Sequence, residues 1–134
     1  MQQLAFQKVS VYQEKIMPYS VFIDGAAGTT GLQVHDRLQK RIELSVYVLD
    51  DQQRKDADAR AKAMADADVT ILCLPDEAAI QAAQMAKVSG ARLIDASSAH
   101  RTATDFIYGF AEIKQGQQDA IRSAQLVSNP GCYQ

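Results

Sequence analysis

YSVFIDGAAGTTG, residues 19–31, decides the fold. A short apolar run rich in strand-forming residues leads into a turn carrying Gly25, Gly28 and Gly31, and the residues after that turn recur at helical spacing. Strand, glycine turn and helix in that order make the opening of a βα unit, and such a turn is where a dinucleotide pyrophosphate sits. A tight turn needs residues free of a Cβ, the backbone must come close to the phosphates, and the helix N-terminus offers unpaired N–H groups and a positive dipole end. Thr29 and Thr30 add hydroxyl donors. The GxxGxxG spacing differs from the commoner GxGxxG, and glycines at this point can also serve the turn alone.

Beyond the turn, short β-branched runs alternate with Ala-rich, charged segments, the pattern of repeated βα units. Helices are expected over residues 30–41, 57–67, 76–88 and 117–123, and strands over 19–24, 43–49, 69–74, 92–96 and 125–129. Leu32, His35, Leu38 and Ile42 form a stripe expected to face the sheet. The near-continuous apolar run VTILCL at 69–74 implies a central parallel strand buried on both faces, ended by Pro75. Asp76 is placed to cap the next helix and Gly90 to end it. The fold class is therefore α/β: a Rossmann-like open parallel sheet of about five strands with helices on both faces.

Ahead of the first strand, residues 1–16 carry no continuous apolar segment or cleavage pattern of a secretory signal and read as a poorly ordered extension. Met17 is either a start or an internal methionine. Residues 17–134 make one domain, the size of a single core. With 14 Lys plus Arg against 16 Asp plus Glu, formal charge −2, no broad basic field exists to hold nucleic acid. No apolar run approaches the roughly 18–20 residues of a membrane span. The two cysteines, Cys73 and Cys132, lack metal-site or disulfide-framework spacing, so a reducing cytoplasm is the expected compartment.

SNPGCY, residues 128–133, sets Cys132 in a turn just past the last strand, at the end of the sheet where open α/β folds assemble their sites. A thiolate adds readily to a carbonyl carbon, and the turn fixed by Asn129 and Pro130 offers backbone amides to a thiolate or an oxyanion. Cys73, expected within the third strand, reads as a small buried hydrophobe. Cys132 together with the dinucleotide turn points to hydride transfer through a thioester. The end of the second strand usually chooses the cofactor, because a carboxylate there accepts from a ribose 2′-hydroxyl and a basic group accommodates a 2′-phosphate. Here Asp50 and Asp51 are followed by Arg54 and Lys55, and the residues leave NAD and NADP open.

DGAAGTTG, ILCLPDEAA, IDASSAHR, YGF followed by AEI, and VSNPGCY occur in this order. Together they resemble N-acetyl-gamma-glutamyl-phosphate reductase in its shorter bacterial form, over about residues 19–133. The aspartate-semialdehyde dehydrogenases share the architecture and a similar Ser-Ser-Ala-x-Arg loop but present their nucleophile in an Asn-x-Cys segment unlike NPGCY. The resemblance implies NADP-dependent reduction of N-acetylglutamyl 5-phosphate to the semialdehyde in arginine biosynthesis, by an enzyme that is a homo-oligomer at full length. It places the catalytic nucleophile at Cys132, the cofactor turn at Gly25, Gly28 and Gly31, and Leu74 and Pro75 beside the dinucleotide. Arg54 or Lys55 would meet the 2′-phosphate. Arg101 falls on the loop arginine that holds substrate phosphate, a task its guanidinium suits.

The sequence departs from that pattern at Ala111, where proline is usual, and at Gln134, which follows Tyr133 in place of Pro or Ala and Thr-Gly. The substrate domain and the family's acid/base histidine are expected to lie outside these residues. His35, on the first helix, reads as packing or surface, and nothing in the sequence brings His100 to Cys132. The alternative readings are a non-catalytic nucleotide-binding module, since a Rossmann half can present a phosphate-binding turn by itself, and a relative acting on another acyl phosphate, such as an aspartate-semialdehyde dehydrogenase.

Overall fold

The computed structural model describes residues 18–132. The expected extension at 1–16 lies outside them. The elements are β1 (Tyr19–Asp24), α1 (Thr29–Leu38), β2 (Leu44–Tyr47), a single 3-10 turn (Gln53–Lys55), α2 (Ala57–Asp66), β3 (Val69–Leu72), α3 (Asp76–Ser89), β4 (Leu93–Asp95), β5 (Ile107–Tyr108), α4 (Gln117–Ser123) and β6 (Leu126–Ser128). The six strands form one sheet in the order β2-β1-β3-β4-β6-β5. Every pairing is parallel. The chain leaves β1 for β2 on one side and reaches β3 on the other, so the switch point, and the crevice it opens, lies at the carboxyl ends of β1 and β3.

The core lies on the sheet face covered by α2 and α3. Phe22, Leu72, Leu93 and Leu126 project into it from four strands and meet Ala63 and Met64 of α2 and Ala79, Ala82, Ala83 and Ala86 of α3. Alanine along α3 lets the helix backbone approach the sheet closely, and burying each large apolar side chain is worth about 1.5–3 kcal/mol. Tyr47 ties β2 to α2 by donating its hydroxyl to the Ala63 carbonyl at 2.7 Å.

Five expectations need correction. Among the described residues there are six strands, because Ile107 and Tyr108 pair with Val127 and Ser128 at the edge; two residues give too little pattern to read in sequence. The third strand ends at Leu72, so Cys73 and Leu74 belong to the loop beyond it. That strand is fully buried only through Thr70 and Leu72, while Val69 and Ile71 on the other face are half-buried. The stripe on α1 packs on the sheet only in part: Leu32 is 54% exposed and Ile42, past the helix end, 96%, while His35 and Leu38 are half-buried and Gly31 is the residue of α1 that is fully buried. Finally, Pro75 rather than Asp76 is the N-cap residue of α3, since the Asp76 carboxylate turns away to another loop. Gly90 does end α3, in left-handed conformation at φ 72° with its N–H on the Ala86 carbonyl.

Candidate functional site

The glycine turn is built by close approach. Gly25 has φ 89°, and a Cβ there would overlap the Cys73 carbonyl oxygen and lie 2.9 Å from Leu74 Cδ2. A Cβ on Gly31 would overlap the Gly25 carbonyl oxygen and sit 2.7 Å from Ala26 Cα. At Gly28 the nearest atom to a Cβ is 3.7 Å away, so space does not demand glycine there. Gly28 is the N-cap residue of α1 and no side chain caps that end, which leaves the first-turn amides of Thr29, Thr30 and Gly31 without a side-chain acceptor. Here the residues fit a dinucleotide: β1 and β3 are drawn together by glycine, and unspent amides at the helix end suit a pyrophosphate.

Two hollows flank this turn. One, of about 270 Å³, is lined by Gly28, Thr29, Thr30, Cys73, Leu74, Pro75 and Ala96. The expected burial of Cys73 inside a strand is thereby corrected. The thiol is half-buried at the wall of the cleft, and burial, with the charges of Asp24 and Asp95, pushes its pKa up. A thiol so held stays protonated and is a poor nucleophile.

The larger hollow, of about 460 Å³, reaches from Gly25 to the end of β2 and includes Leu32, His35, Val48, Asp51, Arg54 and Arg60. His35, expected as packing or surface, lines it. Asp50, one candidate ribose ligand, spends a carboxylate oxygen on the amides of Gln52 and Gln53 at 3.0 and 2.7 Å. Asp51 and Arg54 are the acid and base that line this end of the cleft. They pair at 3.3 Å with the Asp51 side chain 90% exposed. Arg60 is held differently: its Nε and Nη2 both donate to Asp24 Oδ2, at 3.1 and 2.7 Å, and Asp24 is 4% exposed.

Farther along the same carboxyl end of the sheet, the loop after β4 is clamped from two sides. The Ser98 amide and hydroxyl donate to Asp76 at 3.1 and 2.6 Å, and these bonds hold the Asp76 carboxyl below the usual range. Within the fold Asp95, fully buried, accepts from the Ser97 amide at 2.9 Å, the Ser97 hydroxyl at 2.8 Å and His100 Nδ1 at 2.5 Å. Arg101 follows, and its Nε donates to the Asn129 carbonyl at 3.4 Å. The 129–132 turn begins where the Asn129 amide bonds the Asp95 carbonyl at 2.8 Å, and it ends in the exposed Cys132. Gly109, not singled out in sequence, belongs to this arrangement: its N–H bonds the Ser128 carbonyl at 2.8 Å, and a Cβ would lie 2.9 Å from that oxygen. Its position between Tyr108 and Phe110 was the available signal.

A family model for the semialdehyde dehydrogenase NAD-binding domain matches residues 20–123. The chain belongs to that family. As a semialdehyde dehydrogenase NAD-binding domain, it carries a nicotinamide dinucleotide cleft, the role the glycine turn supports. Among relatives, N-acetyl-gamma-glutamyl-phosphate reductase 2 of Nostoc sp. is 50% identical over 113 residues, covering 84% of this chain and 35% of its own length. The N-acetyl-gamma-glutamyl-phosphate reductase of Burkholderia lata is 51% identical over 114 residues, covering 85% and 36%. The chain thus spans about a third of the length of these relatives. Aspartate semialdehyde dehydrogenase II of Vibrio cholerae, solved with ASA, superposes at TM-score 0.66 and 19% identity, over 87% of this chain and 43% of that one. The Francisella tularensis enzyme follows at 0.65 and 14%, over 84% and 36%. At such identities the solved structures speak for the semialdehyde dehydrogenase domain fold alone. Among the described residues no helix is long and apolar enough to cross a membrane, and no cluster of His, Cys, Asp and Glu could hold a metal ion.

Proposed function

We propose that the protein carrying this domain is an NADP-dependent N-acetyl-gamma-glutamyl-phosphate reductase. It reduces N-acetyl-L-glutamyl 5-phosphate to the 5-semialdehyde, with release of phosphate, in arginine biosynthesis. The observation that carries this reading is the placement of Arg101 against the turn of exposed Cys132, on the same sheet end as the glycine cleft. A nucleophile and a phosphate-binding cation side by side are what an acyl phosphate requires. Identity of 50% and 51% over 113 and 114 aligned residues with named reductases supports the substrate.

The pyrophosphate belongs against Gly25, Gly28 and Gly31 and the amides and hydroxyls of Thr29 and Thr30, with Leu74 and Pro75 as the apolar wall. Arg54 is the cation for a 2′-phosphate, because its partner Asp51 is exposed and such a pair is worth only about 0–1 kcal/mol, so it exchanges readily. Arg60 is committed to a buried carboxylate and does not. The reduced dinucleotide, when bound, supplies hydride. The Cys132 thiolate attacks the acyl carbon, a C–S bond forms, the carbon–oxygen bond to phosphate breaks, and Arg101 holds the departing dianion. Once the thioester carbon is reduced, the C–S bond breaks, the aldehyde leaves and the thiolate returns. The substrates are small molecules, and a free thiol of this kind belongs to a reducing cytoplasm.

The test is the reverse assay on the full-length protein. NADP reduction is expected with N-acetylglutamate 5-semialdehyde only when phosphate is present. Turnover of aspartate semialdehyde instead, at comparable kcat/KM, would reassign the substrate.

A further inference from the structure

His100 has no part in the scheme above, yet it is among the most constrained polar groups in the fold. It is 8% exposed, its ring stacks on Phe106 with centroids 4.1 Å apart and planes 12° apart, and Nδ1 lies 2.5 Å from Asp95 Oδ2. A carboxylate only accepts, so Nδ1 carries the proton of that bond. Asp95 is wholly buried, and a buried anion depends on every donor that faces it. His100 supplies one of its three, the other two coming from Ser97. The backbone amide of Asn129 bonds the carbonyl of the same Asp95, and Arg101, next after His100, reaches the Asn129 carbonyl. Asp95 therefore joins the loop of Arg101 to the turn of Cys132, and of the two loop side chains bonded to its carboxylate, Ser97 and His100, His100 is the one next to Arg101.

We propose that His100 is a positioning residue: through Asp95 and Phe106 it fixes the loop so that the Arg101 guanidinium stands over the Cys132 turn, ready for a phosphate dianion. This rests on the proposed role of Arg101. Arginine holds phosphate by a planar fork whose geometry must match, so a loop shift of about 1 Å weakens the site while leaving the charge in place.

The experiment uses inorganic phosphate as the probe and iodoacetamide alkylation of Cys132, followed by mass spectrometry, as the readout on the 134-residue chain. Phosphate is expected to protect Cys132 in the wild type and to give no protection in Arg101→Ala. In His100→Phe, which keeps an aromatic stack but removes the donor, the phosphate concentration for half-protection should rise by roughly tenfold or more. His100→Asn, whose amide nitrogen can stand where Nδ1 stood, should return it to within about threefold. NADPH affinity, read by isothermal titration, should be the same in all, which a general loss of structure would not leave untouched. If His100→Phe does not fold, His100→Gln, with its amide misplaced by one bond, is judged by the same tenfold criterion. Wild-type protection in the folded donor-less variant, or no recovery in His100→Asn, overturns the role of His100. Undiminished protection in Arg101→Ala overturns the reading of Arg101 beneath it, and the two failures are told apart by which variant shows them.

Discussion

At the scale of single residues, chemistry and sterics make separable demands. Cys132 is exposed in a turn and Cys73 is half-buried with its thiol kept protonated, so the two respond differently to loss of sulfur. In the full-length protein Cys132→Ser should lower turnover by at least roughly a thousandfold, because a serine hydroxyl is scarcely ionised near neutral pH, while NADPH binding persists. Cys73→Ser should leave the chemical step intact. Steady-state kinetics on both variants decide it, and wild-type turnover in Cys132→Ser would remove the nucleophile. The glycines separate in the same way. Gly31→Ala drives a methyl into the Gly25 carbonyl and should destabilise the domain by several kcal/mol, whereas Gly28→Ala has room and should keep its melting temperature within a few degrees. Arg54→Ala should weaken NADPH by roughly 10- to 100-fold, the worth of a charge-assisted hydrogen bond, and leave NADH unchanged. Equal losses for both dinucleotides in paired titrations would take Arg54 off the 2′-phosphate.

Elements are held to one another by few polar bonds, and those bonds carry the pH response. The α3 start is tied to the loop after β4 through Asp76 and Ser98, whose hydrogen bonds depress the Asp76 carboxyl. A carboxyl whose folded pKa lies below its unfolded value of about 3.9 adds stability above that value and loses it as pH falls through the folded one. Wild-type protein should therefore lose melting temperature faster than Asp76→Ala as pH drops below about 4, with the two curves converging at the acid end. Parallel curves in a pH series of thermal melts would show that this tie contributes nothing. Inside β3, Thr70 is fully buried and its hydroxyl has no partner, so Thr70→Val replaces an unsatisfied polar atom by a methyl of nearly the same shape. It should raise stability by about 1 kcal/mol, seen as an upward shift in the urea midpoint.

For the molecule as a whole, the sheet brings two chemistries to one edge: the glycine cleft at β1 and β3, and the Cys132 turn past β6 beside the Arg101 loop. Neither histidine completes an acid/base pair with Cys132 here, since His35 lines the far end of the large cleft and His100 is committed to Asp95. The 134-residue chain should accordingly bind NADPH in isothermal titration and yet show no reductase turnover, because proton transfer alone is worth about 10² to 10⁴ in rate and substrate positioning more. Turnover near an ordinary enzymatic rate from this chain would show that its own residues suffice.

The local pattern determined a good deal. Residues 19–31 established the first βα unit, because a short apolar run followed by glycine at a turn has few other uses, and the carboxyl-edge placement of Cys132 followed from counting strands. Strong periodicity and turn chemistry are written in neighbouring residues, which is why β1, α2 and the end of α3 at Gly90 lie close to their expected places. What distant segments decide was out of reach. The two-residue β5 exists because β6 offers it an edge, and Asp76 turned from its own helix to Ser98, 22 residues away. Leu32 and His35 face a cleft rather than the sheet, and Arg54 rather than Arg60 stays exchangeable because only Arg60 found a buried carboxylate. In each case the competing partners are separated along the chain and meet only when the sheet closes, so burial and hydrogen-bond competition, not local preference, set the outcome.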